Sequence, residues 1–143
     1  MKDSLDRFTE AQAHSYAQAL AEIKSGRKRS HWMWYVFPQI QGLGFSETAR
    51  FYELRNAAEA ADFLAHPVLG PRLLDISNAL LSLPSHDAHG IMGSPDDLKL
   101  RSSMTLFAAL PGAPPVFQQV LDKFYGGDRD EKTLRILASQ ANS

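Results

Sequence analysis

Cysteine is absent from all 143 residues, which excludes disulfides and thiolate chemistry. No run approaches the roughly 18 apolar residues that a membrane-spanning helix needs, so no membrane association is expected. Nor is charge of one sign in excess. Fifteen Lys and Arg stand against 16 Asp and Glu, for a formal net charge of -1 and a pI of about 6.5. Phosphate neutralisation dominates nucleic-acid affinity, so a balanced chain disfavours nucleic acid as a partner. The segment MKDSLDRF lacks the apolar stretch of a secretory signal, and the chain reads as cytoplasmic. Also missing are the phosphate loop G-x-x-x-x-G-K-S/T, H-E-x-x-H, G-x-S-x-G, an EF-hand loop, internal repeats and low-complexity tracts. No cofactor or metal is implied.

What is there is ordinary globular composition, 44% hydrophobic and 22% charged, at a length suited to one domain over residues 1–143 with a sizeable core. Phe8, Gln12, Tyr16, Ala19, Leu20 and Ile23 recur three or four apart, predicting one helix from about Leu5 to Lys24, closed by Gly26. Ser46 reads as the N-cap of a helix through Leu54, and Asn56 with Glu59 as a capping box opening a helix through Leu64. Pro67 and Pro71 suit the start of a helix carrying Leu69, Leu73, Ile76, Leu80 and Leu83, which Pro84 ends. Ser85–Gly93 reads as loop. Ser94-Pro95-Asp96-Asp97 reads as a helix start with serine as N-cap, leading to a helix as far as Ala109. Pro115 opens a helix that Gly126-Gly127 ends, and Asp128 with Glu131 opens a last short one, with 138–143 as a frayed tail. The expectation is a mainly α, compact array of about six helices.

The most aromatic window is Ser30–Ser46, SHWMWYVFPQIQGLGFS. Both alternating sets of its first half are apolar, so a short buried strand and a short buried helix both fit. Pro38 ends the segment, and Gly42 and Gly44 are free to take positive φ in the turn that follows.

These residues also carry a family likeness. RFTEAQ, then SHWMWYVFPQIQGLG, HPVLGPRL, DLKLRSSMTLF and FYGGDRDEKTL occur in this order along nearly the whole chain. Together they resemble the bacterial domain-of-unknown-function family numbered 1810, whose members are sometimes mislabelled "calpastatin". The resemblance implies a mainly α-helical single domain with no established activity. Calpain inhibitors are disordered, and this core-rich composition is not. In size, helicity and aromatic content the chain is also similar to the ADP-ribose-processing NADAR-type domains, a likeness at the level of fold.

Candidate chemistry gathers in three places. Gly42-Leu43-Gly44 precedes a helix start, so its amides either face an anion or form a plain tight turn. On the helix from Asp96, spacing lines up Asp96, Lys99 and Ser103 with Ser102 beside them, a set able to hold a phosphate or carboxylate or to be a surface ion pair. Trp32 and Trp34 offer rings that stack a base or fill the core, with Gln39 nearby. His31 and Asp96 are the groups able to move protons, and Arg72 is a further anion candidate. His86 and His89 lack a fixed third metal ligand. Arg27-Lys28-Arg29, with Lys24, reads as a solvated helix end or a partner surface. The resulting expectation is a pocket for a small anionic, nucleotide-like ligand, where the tryptophan run meets the lysine–serine helix. Whether it is an enzyme on ADP-ribose or nucleotide derivatives is left open. The alternative is a non-catalytic interaction module with the aromatic run as core.

Overall fold

In the computed structural model, residues 4–141 are described; the first three residues of MKDSLDRF and the last two of the expected frayed tail, 142 and 143, lie outside the described residues. The fold is mainly helical, with ten helices among the described residues rather than about six. In order they are α1 (Asp6–Ala13), α2 (Tyr16–Lys24), α3 (Met33–Val36), α4 (Glu47–Tyr52), α5 (Ala57–Ala65), α6 (Leu69–Ser82), α7 (Ala88–Met92), α8 (Asp96–Ala108), α9 (Val116–Tyr125) and α10 (Glu131–Ala141).

Three departures account for the larger number. The expected helix over Leu5–Lys24 breaks at His14-Ser15, because its halves serve different neighbours: α1 packs on α3, α2 on α6. At the break, Gln12 Nε2 donates to Tyr35 O at 2.7 Å and Tyr35 Oη to Ser15 Oγ at 2.9 Å. The ambiguous tryptophan run resolves as one turn of helix, α3. Within the expected loop, Asp87 caps α7 by accepting from Gly90 N at 3.1 Å.

Local capping elsewhere follows the residues closely. Ser46 Oγ accepts from Ala49 N at 3.1 Å and Asn56 Oδ1 from Glu59 N at 2.8 Å, each satisfying an amide that the helix itself cannot. Glu59 does not close a reciprocal box, however; it accepts from Arg55 N at 2.9 Å, one residue earlier. Ser94 is not the cap of α8, since Pro95 occupies that position without a side-chain bond. At the last helix the capping carboxylate is Asp130 rather than Asp128, accepting from Thr133 N at 3.1 Å. That helix runs on through Ala141, past the expected fraying point.

Helix α8 is the centre of the array. Leu100 and every residue from Ser102 to Phe107 are buried, so it lacks the single apolar stripe of a surface helix. It is enclosed by α5, α7, α9 and α10. Rings connect the layers from α1 through α5 and α8 to α9: Phe8 to Phe63 at 5.1 Å edge-on, Phe63 to Phe107 at 5.7 Å, Phe107 to Phe117 at 5.5 Å. Centroid separations in this range are those at which aromatic pairs add to area burial.

The turn after α3 is pinned by a single parallel β-bridge, Ile40 to Leu54. Gln41 N donates to Leu54 O at 2.7 Å and Leu54 N to Gln39 O at 2.9 Å. This pairing brings the residue before Leu54, Glu53, against the glycine turn.

Candidate functional site

Two internal carboxylates organise the aromatic segment. Glu22, on α2, is buried, and its Oε1 accepts from Arg29 N at 2.8 Å, Ser30 N at 3.0 Å and Trp32 Nε1 at 2.9 Å. Its Oε2 accepts from Ser30 Oγ at 2.6 Å. Burial alone pushes this carboxyl up, but the bonds from Ser30 Oγ, the Arg29 amide, the Trp32 indole and the Ser30 amide together outweigh it and hold the pKa at about 2. Trp32 is therefore 1% exposed and bonded inward, part of the core and closed to a stacking ligand.

Glu53 does the same for the turn. Its Oε2 accepts from Gly42 N at 2.9 Å, Leu43 N at 3.1 Å and Gly44 N at 3.1 Å. The amides expected to face an external anion are thus filled by the chain's own carboxylate. Only one of the two glycines takes positive φ: Gly42, at +109°. Gly44 is demanded by packing, because a Cβ there would lie 2.5 Å from Ala49 Cβ.

The tryptophan segment and α8 do meet, through lysines. Lys28 Nζ pairs with Asp96 Oδ2 at 2.8 Å and lies 5.0 Å from the Trp32 ring centroid, its side chain only 7% exposed. Lys28 is a buried tie between segments, which takes it out of any solvated basic patch. Lys99 Nζ stands 3.8 Å from Asp96 Oδ1 and 5.6 Å from the Trp34 ring centroid, within reach of a cation–π contact.

Beside these ties lies an open hollow of about 750 Å³, within the size range of small-molecule sites. The turn contributes Gln39, Gly42, Leu43 and Phe45; Pro95, just before α8, joins Leu98, Lys99, Arg101 and Ser102 from α8 itself; the loop into α10 and its first turns contribute the rest. Five cationic side chains, Lys99, Arg101, Arg129, Lys132 and Arg135, face three acidic ones, Asp128, Asp130 and Glu131. Phe45 is 88% exposed and Leu98 53% exposed at its edge. Arg101 Nη2 reaches Asp130 Oδ1 at only 3.9 Å, and its buried Nε has no hydrogen-bond partner.

Of the residues singled out from the sequence, Gln39, Gly42, Lys99 and Ser102 line this hollow. Ser102 Oγ is already engaged, lying 3.1 Å from Asp130 Oδ2 and 3.2 Å from Leu98 O. Gly44 borders a smaller neighbouring hollow with Arg50 and Glu53. Trp34 stays outside the lining and touches Lys99. Ser103 is fully buried with no hydrogen-bond partner, and nothing in the structure explains its hydroxyl. Arg72 lies elsewhere, 5.1 Å from the Tyr16 ring and bonded to Gln12 Oε1 at 3.4 Å. Neither proposed proton-transfer group lines the hollow: His31 is exposed and Asp96 is held between two lysines. His31, Lys99 and Ser103 thus do not converge. His86 Nδ1 sits 3.3 Å from Lys123 O and His89 Nδ1 3.5 Å from Asp97 Oδ2. Among the described residues no three His, Asp or Glu side chains gather to hold a metal, and no helix is long and apolar enough to cross a membrane.

Sequence reasoning missed Phe45, Arg101, Arg129, Lys132 and Arg135 as one surface. Phe45 carried a signal, as a ring placed on a glycine turn just before a cap and outside any helical stripe. The three late cations lie 30 or more positions from α8's lysine in the chain, and only the docking of α10 on α8 joins them.

Residues 2–137 match the family described as "Protein of unknown function (DUF1810)". The chain belongs to this family. It is similar over 94% of its length to the conserved hypothetical protein Rv1873 from Mycobacterium tuberculosis, at 46% identity and a TM-score of 0.92, with 96% of that chain covered. No curated protein matches it. The family match extends from the helical frame through the Gly42 turn, α8 and most of α10, so it spans all the elements that form the hollow.

Proposed function

We propose that this DUF1810 chain binds a small anionic, nucleotide-like ligand in the hollow between the Gln39–Phe45 turn, α8 and the start of α10. One observation carries the reading: a phenylalanine left 88% exposed at the edge of a hollow lined by five cations. A flat ring gains stacking area on Phe45 and Leu98, while phosphate or carboxylate oxygens meet Lys99 and Arg101. The Arg101 side chain is 32% exposed and reaches Asp130 only at 3.9 Å, so its terminal guanidinium nitrogens keep donors for an acceptor brought by a ligand. The reading assigns no reaction, since His31 and Asp96 lie outside the lining.

Thermal denaturation with AMP, ADP-ribose, inorganic phosphate and small carboxylates tests this. A ligand that binds only the native state raises Tm by mass action. Lys99→Ala should abolish the rise while leaving the unliganded Tm nearly unchanged, because its long pair with Asp96 is worth at most about 1 kcal/mol. Phe45→Ala should weaken AMP far more than phosphate. A flat response to every compound, or equal shifts in Lys99→Ala, refutes the proposal.

The exposure of Phe51, 59% and away from the hollow, favours the second reading, a protein-interaction surface. That reading predicts binding to a partner protein that survives Lys99→Ala but not Phe51→Ala.

A further inference from the structure

Buried carboxylates ordinarily find a cation, and Glu53 has none: among the described residues no Lys or Arg forms an ion pair with it. Its side chain is nonetheless buried, at 7% exposure. Its counter-charge is instead three successive backbone amides, Gly42, Leu43 and Gly44, all directed at one oxygen within 3.1 Å. Consecutive amides that converge in this way form an anion-binding concavity, and Gly42 takes the positive φ at the start of this turn. The same turn supplies Gly42, Leu43 and Phe45 to the wall of the hollow. Glu53 comes from the far side of the β-bridge, held there by Leu54.

We propose that Glu53 is an internal anion that sets the shape of the Gly42–Phe45 turn, and that these three amides form an oxyanion site which takes up a small external carboxylate when the Glu53 side chain is removed. Glu53 is thereby a positioning residue for Phe45. Its consequence for ligand binding rests on the function proposed above; the oxyanion site does not.

Chemical rescue separates the two. Glu53→Ala should have a lower Tm than the native chain. Sodium acetate should raise the variant's Tm by several degrees and saturate, whereas sodium chloride at equal ionic strength should not, and the native chain should respond to both salts alike. A folded Glu53→Ala protein in which acetate and chloride act equally overturns the oxyanion site. Should that variant fail to fold, amide hydrogen exchange in Glu53→Gln decides. The Gly42, Leu43 and Gly44 amides should exchange at least about tenfold faster than in the native chain, with the Ser46-capped Ala49 amide unchanged, and equal protection overturns the proposal. With AMP as the probe, Glu53→Ala should weaken binding and acetate should restore it. Acetate rescue of the variant's Tm, with the native chain flat to AMP, ADP-ribose, phosphate and small carboxylates alike, leaves the oxyanion site standing and removes the proposed function. AMP binding that Glu53→Ala leaves intact removes the positioning role.

Discussion

Acid should dismantle the Glu22 cluster over a defined range, and its magnitude follows from the structure. The carboxyl is held at about 2 against an ordinary 4.5, by four bonds that exist only in the folded chain. A depressed pKa means that the unfolded chain takes up this proton first. The stabilisation is therefore complete above about pH 4.5 and is lost as the pH falls through the folded value near 2. At 1.36 kcal/mol per tenfold difference in proton affinity, the contribution is about 3 kcal/mol. Urea unfolding of the native chain and Glu22→Gln, each from pH 7 down to the lowest pH at which both still fold, isolates it. Glutamine keeps the shape and one acceptor but has no proton to exchange. Glu59 lies below its ordinary range as well: burial raises it, but bonds from the Arg55 amide, Ser4 and Arg7 prevail. It titrates in both proteins and so cancels in the difference. The native chain's advantage over the variant should narrow on acidification, by a total of about 3 kcal/mol if the series reaches pH 2. An advantage that stays constant, or that grows on acidification, would show that desolvation wins over the hydrogen bonds and would refute the reasoning.

The two tryptophans should behave differently although they stand two residues apart. Trp32→Ala removes a ring at 1% exposure and its bond to Glu22, and should lower stability by about 3–5 kcal/mol in urea unfolding. Trp34→Ala removes a partly exposed ring and should destabilise distinctly less. The two turn glycines should fail for different reasons. Gly42→Ala should destabilise by about 1–3 kcal/mol through backbone strain at φ +109°. Gly44→Ala should do so by about 1–3 kcal/mol through overpacking against Ala49; a double-mutant cycle with Ala49→Gly should show coupling for Gly44 and none for Gly42.

How much of this could be read beforehand depends on the range of the interaction. The caps at Ser46 and Asn56 bond three residues ahead, so a short window contains both partners. The helical class follows from apolar spacing within single elements. The break at Ser15 does not, because α1 and α2 share one unbroken stripe, Phe8 to Ile23, and only the separate positions of α3 and α6 force them apart. On α8, spacing correctly aligned Asp96 with Lys99. It could not show that Arg101, off the line of Asp96, Lys99 and Ser103, borders the same hollow, since a helix buried on nearly every side has no single functional face.

The glycine turn shows most clearly where local reasoning stops. G-L-G before a helix offers amides, and amides attract an anion, so the chemistry was legible in the residue types. Which anion was not. Glu53 lies nine to eleven positions away from the amides it accepts, on the far side of α4, and looks in the sequence like one acidic residue among 16. The Ile40–Leu54 bridge makes the choice, by fixing the backbone on either side of the turn so that residue 53, and not 47, faces it. Glu22 repeats the device eight residues upstream of Ser30, so both ends of the aromatic segment are held by a buried carboxylate on backbone amides rather than by apolar contact alone. A charge used in this way stabilises only one backbone path, because a shift of the turn leaves a buried carboxylate unpaired. Segments so rich in aromatic rings pack adequately in several arrangements; two internal anions leave this one a single arrangement, and that places Phe45 outside the core.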